Sequence, residues 1–177
     1  VKVLDYKIKE SQITIEKGDL TLAEIEAIVF YASHNLSLGS GFGNAIAVRG
    51  GVSIQEELDK LGNLDTCEAV ITAAGNLKSN YIIHAVGPRF QEADIEIKYR
   101  KTLENILKIV EEKKIKEIGF PPMGTGFYGI SLELSARVMR EVFDEHLSGN
   151  TSLKKISIYL ADNREISVFK SVWARKV

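Results

Sequence analysis

Tyr99, Leu103, Ile106, Leu107 and Val110 recur at i, i+4, i+7, i+8 and i+11, the apolar stripe of a long amphipathic helix. Short β-branched runs flank it, Tyr81 to Val86 ahead and Ile115 to Phe120 behind. Two strands joined by a crossover helix of this length lie parallel and right-handed, in a sheet that must be covered on both faces.

The remaining pattern extends the same scheme. Val3 to Ile8 and Ile13 to Lys17 read as a hairpin or neighbouring strands, and Ala27 to Ala32 as a strand buried on both faces. Between them, Thr21-Leu-Ala-Glu24 fits a capping box and predicts a short helix after Gly18-Asp19-Leu20. A polar, glycine-rich loop from Ser33 to Gly43 opens into a helix around Asn44 to Arg49, and Ile54, Leu58 and Leu61 mark another. Ala69 to Thr72 is a further strand. A helix from about Ser131 to Leu147, a strand from Ile156 to Leu160 and a helix near Ile166 to Trp173 complete the series. Such alternation predicts a three-layer α/β/α sandwich with a mixed, mostly parallel central sheet, residues 1–177 forming a single domain. Ligands bind such sheets at the carboxyl ends of the strands, here the loops after Ala32, Phe120 and Leu160.

Composition narrows the function. The 23 basic residues nearly balance 24 acidic ones, so no positive field is available for non-specific nucleic-acid binding. Cys67 is the only cysteine, which excludes an internal disulfide and suits a reducing, cytoplasmic setting. His34, His84 and His146 are too far apart for a local metal motif, and no cofactor is implied. No apolar run is long enough to span a membrane. Lys, Glu and Ile are abundant and Gln is scarce, a bias also found in heat-adapted proteins.

Two glycine loops carry the chemistry. Leu38-Gly-Ser-Gly-Phe-Gly-Asn44 places glycines at every second position ahead of a helix, where free N–H groups and the helix N-terminus suit a diphosphate. It lacks the G-K-[ST] of a P-loop. Gly124, Gly126 and Gly129 match G-x-G-x-x-G between a strand and a helix, but the next strand's acidic residue, Asp162, follows Gly124 by 38 positions, not about 20, and too little chain remains for a nicotinamide half.

Five ordered blocks, spanning about residues 13 to 162, give the chain its resemblance to the macro domain family. They are Gly18-Asp19-Leu20-Thr21 with Ala27-Ile-Val, the first glycine loop with Ala45-Ile46, Glu68 to Thr72, Tyr81-Ile-Ile-His-Ala-Val-Gly-Pro88, and Gly119-Phe-Pro-Pro-Met-Gly-Thr-Gly-Phe-Tyr-Gly129. The resemblance implies a cleft for ADP-ribose or a related adenine nucleotide, or for an ADP-ribosylated protein or small molecule. It assigns adenine recognition to Asp19 and Leu20, and the two ligand loops to Gly39, Ser40, Gly41, Phe42 and Gly43 and to Gly124, Thr125, Gly126, Phe127 and Tyr128. Tyr128 would pack on the distal ribose, and Asp162 would add a polar contact. Asp19 also has a plain reading as a turn residue, Phe42 and Phe127 as wedges, and His84 as a satisfied core histidine.

The departures bear on activity. Where catalytic macro domains carry Asn-Ala-Ala-Asn, this chain has Phe30-Tyr31-Ala32-Ser33, leaving Ser33 as a shorter substitute for the ribose-holding asparagine. Gly43 stands where hydrolytic members have an aspartate that orients water. Ala161 replaces an aromatic ring that stacks on adenine, a loss of about 1 to 3 kcal/mol by analogy with other base–aromatic stacks. Ser33, His34 and Asn35 remain as catalytic candidates, with no partner visible in the sequence to orient His34, which also reads as a solvent-facing loop histidine. Three readings stay open: a binding module with weak or no hydrolysis, an ADP-ribosyl hydrolase or O-acetyl-ADP-ribose deacetylase using non-standard residues, and a degenerate scaffold for another ligand or protein.

Overall fold

The computed structural model describes residues 1 to 174. The strands are β1 (Lys2–Ile8), β2 (Ser11–Lys17), β3 (Ala27–Tyr31), β4 (Ala69–Ala73), β5 (Tyr81–Ala85), β6 (Glu117–Phe120) and β7 (Lys155–Leu160), in one sheet of order β1-β2-β7-β6-β3-β5-β4. The four inner pairings from β2 to β5 are parallel, and both edges are antiparallel. The antiparallel edge at β4 was not foreseen. A short loop around Gly75 returns the chain directly into β5, and so short a connection permits only a hairpin.

The helices are α1 (Phe42–Gly50), α2 (Ser53–Asp59), α3 (Ile95–Glu112), α4 (Leu132–Ser148) and α5 (Asn163–Trp173). Alternation along β3 divides them between two layers. Ala27, Val29 and Tyr31 join the core under α3, α4 and α5, whereas Ile28, Phe30 and Ala32 face α1 and α2 with Ile46, Ile54 and Leu58. The predicted three-layer sandwich is therefore the observed one. Among the described residues, no helix is long and apolar enough to cross a membrane.

Several local expectations change, among them Leu61, which lies beyond the end of α2 and is exposed, and α5, which starts at Asn163, ahead of Ile166. The predicted helix after Thr21 is a single 3-10 turn, Leu20–Leu22, capped by Asp19 in place of Thr21, with Glu24 outside it. Asp19 wins because its Oδ1 accepts from both the Thr21 N–H (2.9 Å) and the Thr21 hydroxyl (2.6 Å). The strand predicted from Ile115 starts at Glu117, since the Ile115 N–H still closes the end of α3 on Val110. Helix α1 starts two residues early, at Phe42, on the backbone of Gly41.

His84 sits in β5 with no exposed surface. The Thr72 hydroxyl donates to Ala73 O, so His84 Nε2 carries the proton donated to Thr72 (2.9 Å), and Nδ1 is left as a bare lone pair among apolar neighbours. It is thus a core histidine satisfied on one side only. Burial pushes its pKa down from 6.5 to about 3. Between those values the unfolded chain takes up a proton that the native state refuses. The stability gained from neutral His84 is complete above about pH 6.5 and lost as pH falls toward about 3. Urea melts across this range should show wild-type stability falling, relative to His84→Leu, by up to about 1.4 kcal/mol per pH unit; parallel curves would refute the assignment.

Candidate functional site

A cleft of about 1070 Å³ opens at the carboxyl ends of β2, β3, β6 and β7. Its walls are the loops that follow these strands, and Arg89, after β5, joins them. This is where a parallel sheet leaves backbone groups without a ladder partner.

The first loop descends from β3 and ends at α1. Gly41 precedes the helix with φ +61°, a left-handed conformation that a β-carbon would penalise. Among the described residues, the N–H groups of 39 to 44 donate to no protein acceptor. On the second loop, Thr125 N–H is taken by Pro122 O and Tyr128 N–H closes a 3-10 turn, but those of Gly124, Gly126 and Phe127 also lack one. Two rows of uncommitted donors, one at a helix N-terminus, give the cleft an anion-binding character without a lysine.

Asp19 and Leu20 line one end, beside Tyr159 and Ala161. Asp19 is both a cap and a wall residue. Oδ1 is spent on Thr21, while Oδ2 pairs with Arg49 at 2.9 Å and keeps a lone pair. Burial raises the carboxyl's pKa, but the hydrogen bonds from Thr21 and the Arg49 charge outweigh it and hold Asp19 below its ordinary value of 3.8. It therefore stays an acceptor at neutral pH.

At the other end, the β3 residues that differ from the catalytic pattern have become anchors. Phe30 packs on Phe42 (centroids 5.8 Å apart), making Phe42 a wedge. The Tyr31 hydroxyl donates to Pro88 O, and its ring lies 4.9 Å from that of Tyr128. Gly124 is a glycine of necessity, for a β-carbon there would meet the Tyr31 ring at 3.0 Å and Ile130 at 2.7 Å. Phe127 is 91% exposed on the cleft rim, so it wedges nothing. Arg89 lies 5.8 Å from the Tyr128 ring centre. Burial raises the Tyr128 pKa, countered by Arg89 and a hydrogen bond with Ser33.

Ser33, His34 and Asn35 all face the cleft. The Ser33 hydroxyl donates to Asn35 Oδ1 (2.8 Å), which also accepts Ser37 N–H (3.0 Å), so both side chains are bound into the loop's own turn. His34 is half-buried, with Nδ1 2.8 Å from Leu64 O. A carbonyl can only accept, which puts the proton on Nδ1 and leaves Nε2 as the basic nitrogen. This orienting group is the one that sequence could not name.

Two expected residues lie off the cleft wall. Asp162 caps α5, its Oδ1 accepting Glu165 N–H at 2.9 Å, and Gly126 is set back from the lining. Conversely, Arg89, Tyr159 and Glu165 line the cleft and were not singled out. A D-x-x-E spacing ahead of a helix was the available signal for Glu165.

Comparison with known proteins agrees with this geometry. The Macro domain family matches residues 31–139. An uncharacterized protein of Sulfolobus acidocaldarius is 38% identical over 97% of this chain and 96% of its own length. The O-acetyl-ADP-ribose deacetylase 1 of Pantoea vagans is 32% identical over 89% of this chain and 96% of its own. A mutant macrodomain of Oceanobacillus iheyensis, solved with ADPR, superposes with a TM-score of 0.92 at 26% identity, covering 97% of this chain and 96% of that one.

Gly43 has no room for a side chain. A β-carbon would fall 1.6 Å from Leu38 O and 2.9 Å from the Phe30 ring. An aspartate at 43 thus requires the first loop to move, and Gly43→Ala should cost about 1 to 3 kcal/mol in urea unfolding. An unchanged midpoint would show that the loop yields freely.

Proposed function

The chain belongs to the macro domain family, and on that premise we propose that its cleft binds ADP-ribose, or an ADP-ribosylated protein or small molecule, with weak or no hydrolysis. The observation that carries this reading is the pair of glycine loops lining one cleft, in which most backbone N–H groups have no protein acceptor among the described residues. A diphosphate satisfies both rows at once. The Oceanobacillus iheyensis macrodomain with ADPR supports the same ligand.

In this reading the free lone pair of Asp19 Oδ2 accepts from the adenine 6-amino group, and Leu20 lines the ring. An acceptor fixed by Thr21 and Arg49 disfavours guanine, whose O6 is itself an acceptor. Residues 39 to 43 and 124 to 128 take the diphosphate and distal ribose, with Tyr128 against the sugar. Asp162 contributes through the α5 cap, without direct contact. Turnover is weak because Phe30 and Gly43 supply no base, and Ser33 and Asn35 are engaged with each other. Residues 1–177 act as one such domain, and the single free cysteine suits a reducing, cytoplasmic compartment.

A second reading, hydrolysis of an ADP-ribosyl linkage or of O-acetyl-ADP-ribose, is favoured by one observation. The Leu64 carbonyl fixes His34 in the tautomer that a general base needs. The name of the Pantoea vagans relative points the same way.

Calorimetric titration with ADP-ribose tests the main reading, with Asp19→Asn as control. The variant keeps an acceptor for Thr21 but can turn an N–H donor toward adenine. Wild-type binding should weaken by about tenfold or more in the variant. No heat and no thermal shift would sink the reading. In a hydrolysis assay on mono-ADP-ribosylated protein, substoichiometric enzyme should release little product; turnover that falls about tenfold in His34→Ala would establish the second reading instead.

A further inference from the structure

Glu165 is 8% exposed yet lines the cleft, and its carboxylate is only half used. Oε1 accepts the Ala161 N–H at 2.7 Å. Oε2 has no partner among the described residues, and it is not one of the fully enclosed unpartnered atoms there, so it keeps some exposure on a residue that lines the cleft. No cation pairs with Glu165 among those residues. Its position beside Ala161 follows β7, the strand paired with β2, and Gly18 N–H reaches Leu160 O at 3.0 Å. Asp19 and Glu165 thus flank the same pair of strand ends.

We propose that Glu165 is a specificity-determining residue, whose free oxygen accepts a hydrogen bond from the vicinal hydroxyls of the adenosine ribose. The cleft then takes ADP-ribose units with a free 2′-hydroxyl and rejects those bearing a 2′-phosphate. This rests on the ADP-ribose reading above and deepens it. Chemical elimination carries the assignment. A nearly buried carboxylate that a bound ligand cuts off from water must meet a donor on that ligand. Phosphates only accept, and Asp19 takes the adenine amino group, which leaves ribose hydroxyls as the donors of the adenosine half. A 2′-phosphate would set a dianion against a fixed, buried negative charge. Capping explains Oε1 but not the open Oε2, and a glutamine would cap equally well.

The experiment compares ADP-ribose, ADP-ribose 2′-phosphate and 2′-deoxy-ADP-ribose by calorimetry. Wild type should prefer ADP-ribose over the 2′-phosphate by about tenfold or more, and Glu165→Gln should erase most of that preference with its melting temperature kept. Without any variant, the 2′-deoxy ligand should bind wild type about tenfold more weakly. ADP-ribose binding with neither discrimination, or with discrimination that survives in Glu165→Gln, overturns this proposal alone. No ADP-ribose binding overturns the functional reading and this proposal with it.

Discussion

Side-chain alternation at the end of β3 is the constraint on which the site depends. Because successive residues must face opposite layers, Phe30 and Tyr31 reach opposite sides of the sheet. Phe30 holds the first loop through Phe42 and closes the space beside Gly43. Tyr31 holds the second loop through Tyr128 and Gly124, and the loop after β5 through Pro88. One dipeptide in a fully buried strand thus fixes both rows of backbone donors relative to each other. Gly87 belongs to the same arrangement, since a β-carbon there would lie 2.2 Å from the Tyr31 hydroxyl oxygen.

In the proposed reading, this arrangement favours binding over chemistry. Loops held by aromatic packing lose little freedom when a ligand arrives, and preorganised N–H groups keep their value because no rearrangement is needed. Of these rings, Phe30 stands where the resemblance to catalytic macro domains places an asparagine. Gly43 cannot regain a carboxylate while Leu38 O and Phe30 keep their places. Leu38 is itself tied by its N–H to Gln55 Oε1 at 3.0 Å, which couples the first loop to α2.

Much of the fold was legible because its signals are local and periodic. The α3 stripe, the β3 run and the glycine punctuation each follow from the spacing of residues in one segment. Capping was less legible, since several residues compete for the same orphan N–H groups. Asp19 displaced Thr21 by satisfying two donors with one oxygen, and Asp162 went to α5 in place of the cleft. The Asp19–Arg49 pair spans 30 residues and leaves no mark in either segment. His34 could be singled out by type, but Leu64, the residue that orients it, lies 30 positions away.

The sequence by itself determined the layered architecture, the placement of both glycine loops at strand ends, and the loss of polar residues at Phe30 and Gly43. These are properties of short windows, in which hydrophobic period and backbone freedom act within a few residues. Only the tertiary structure decided which carboxylates reach the cleft. A D-x-x-E cap reads the same whether its glutamate faces solvent or a ligand. The packing of α5 against the sheet aims Glu165 inward and leaves Asp162 at the helix end, because side-chain direction is set by what the helix lies against, not by the letters in its first turn.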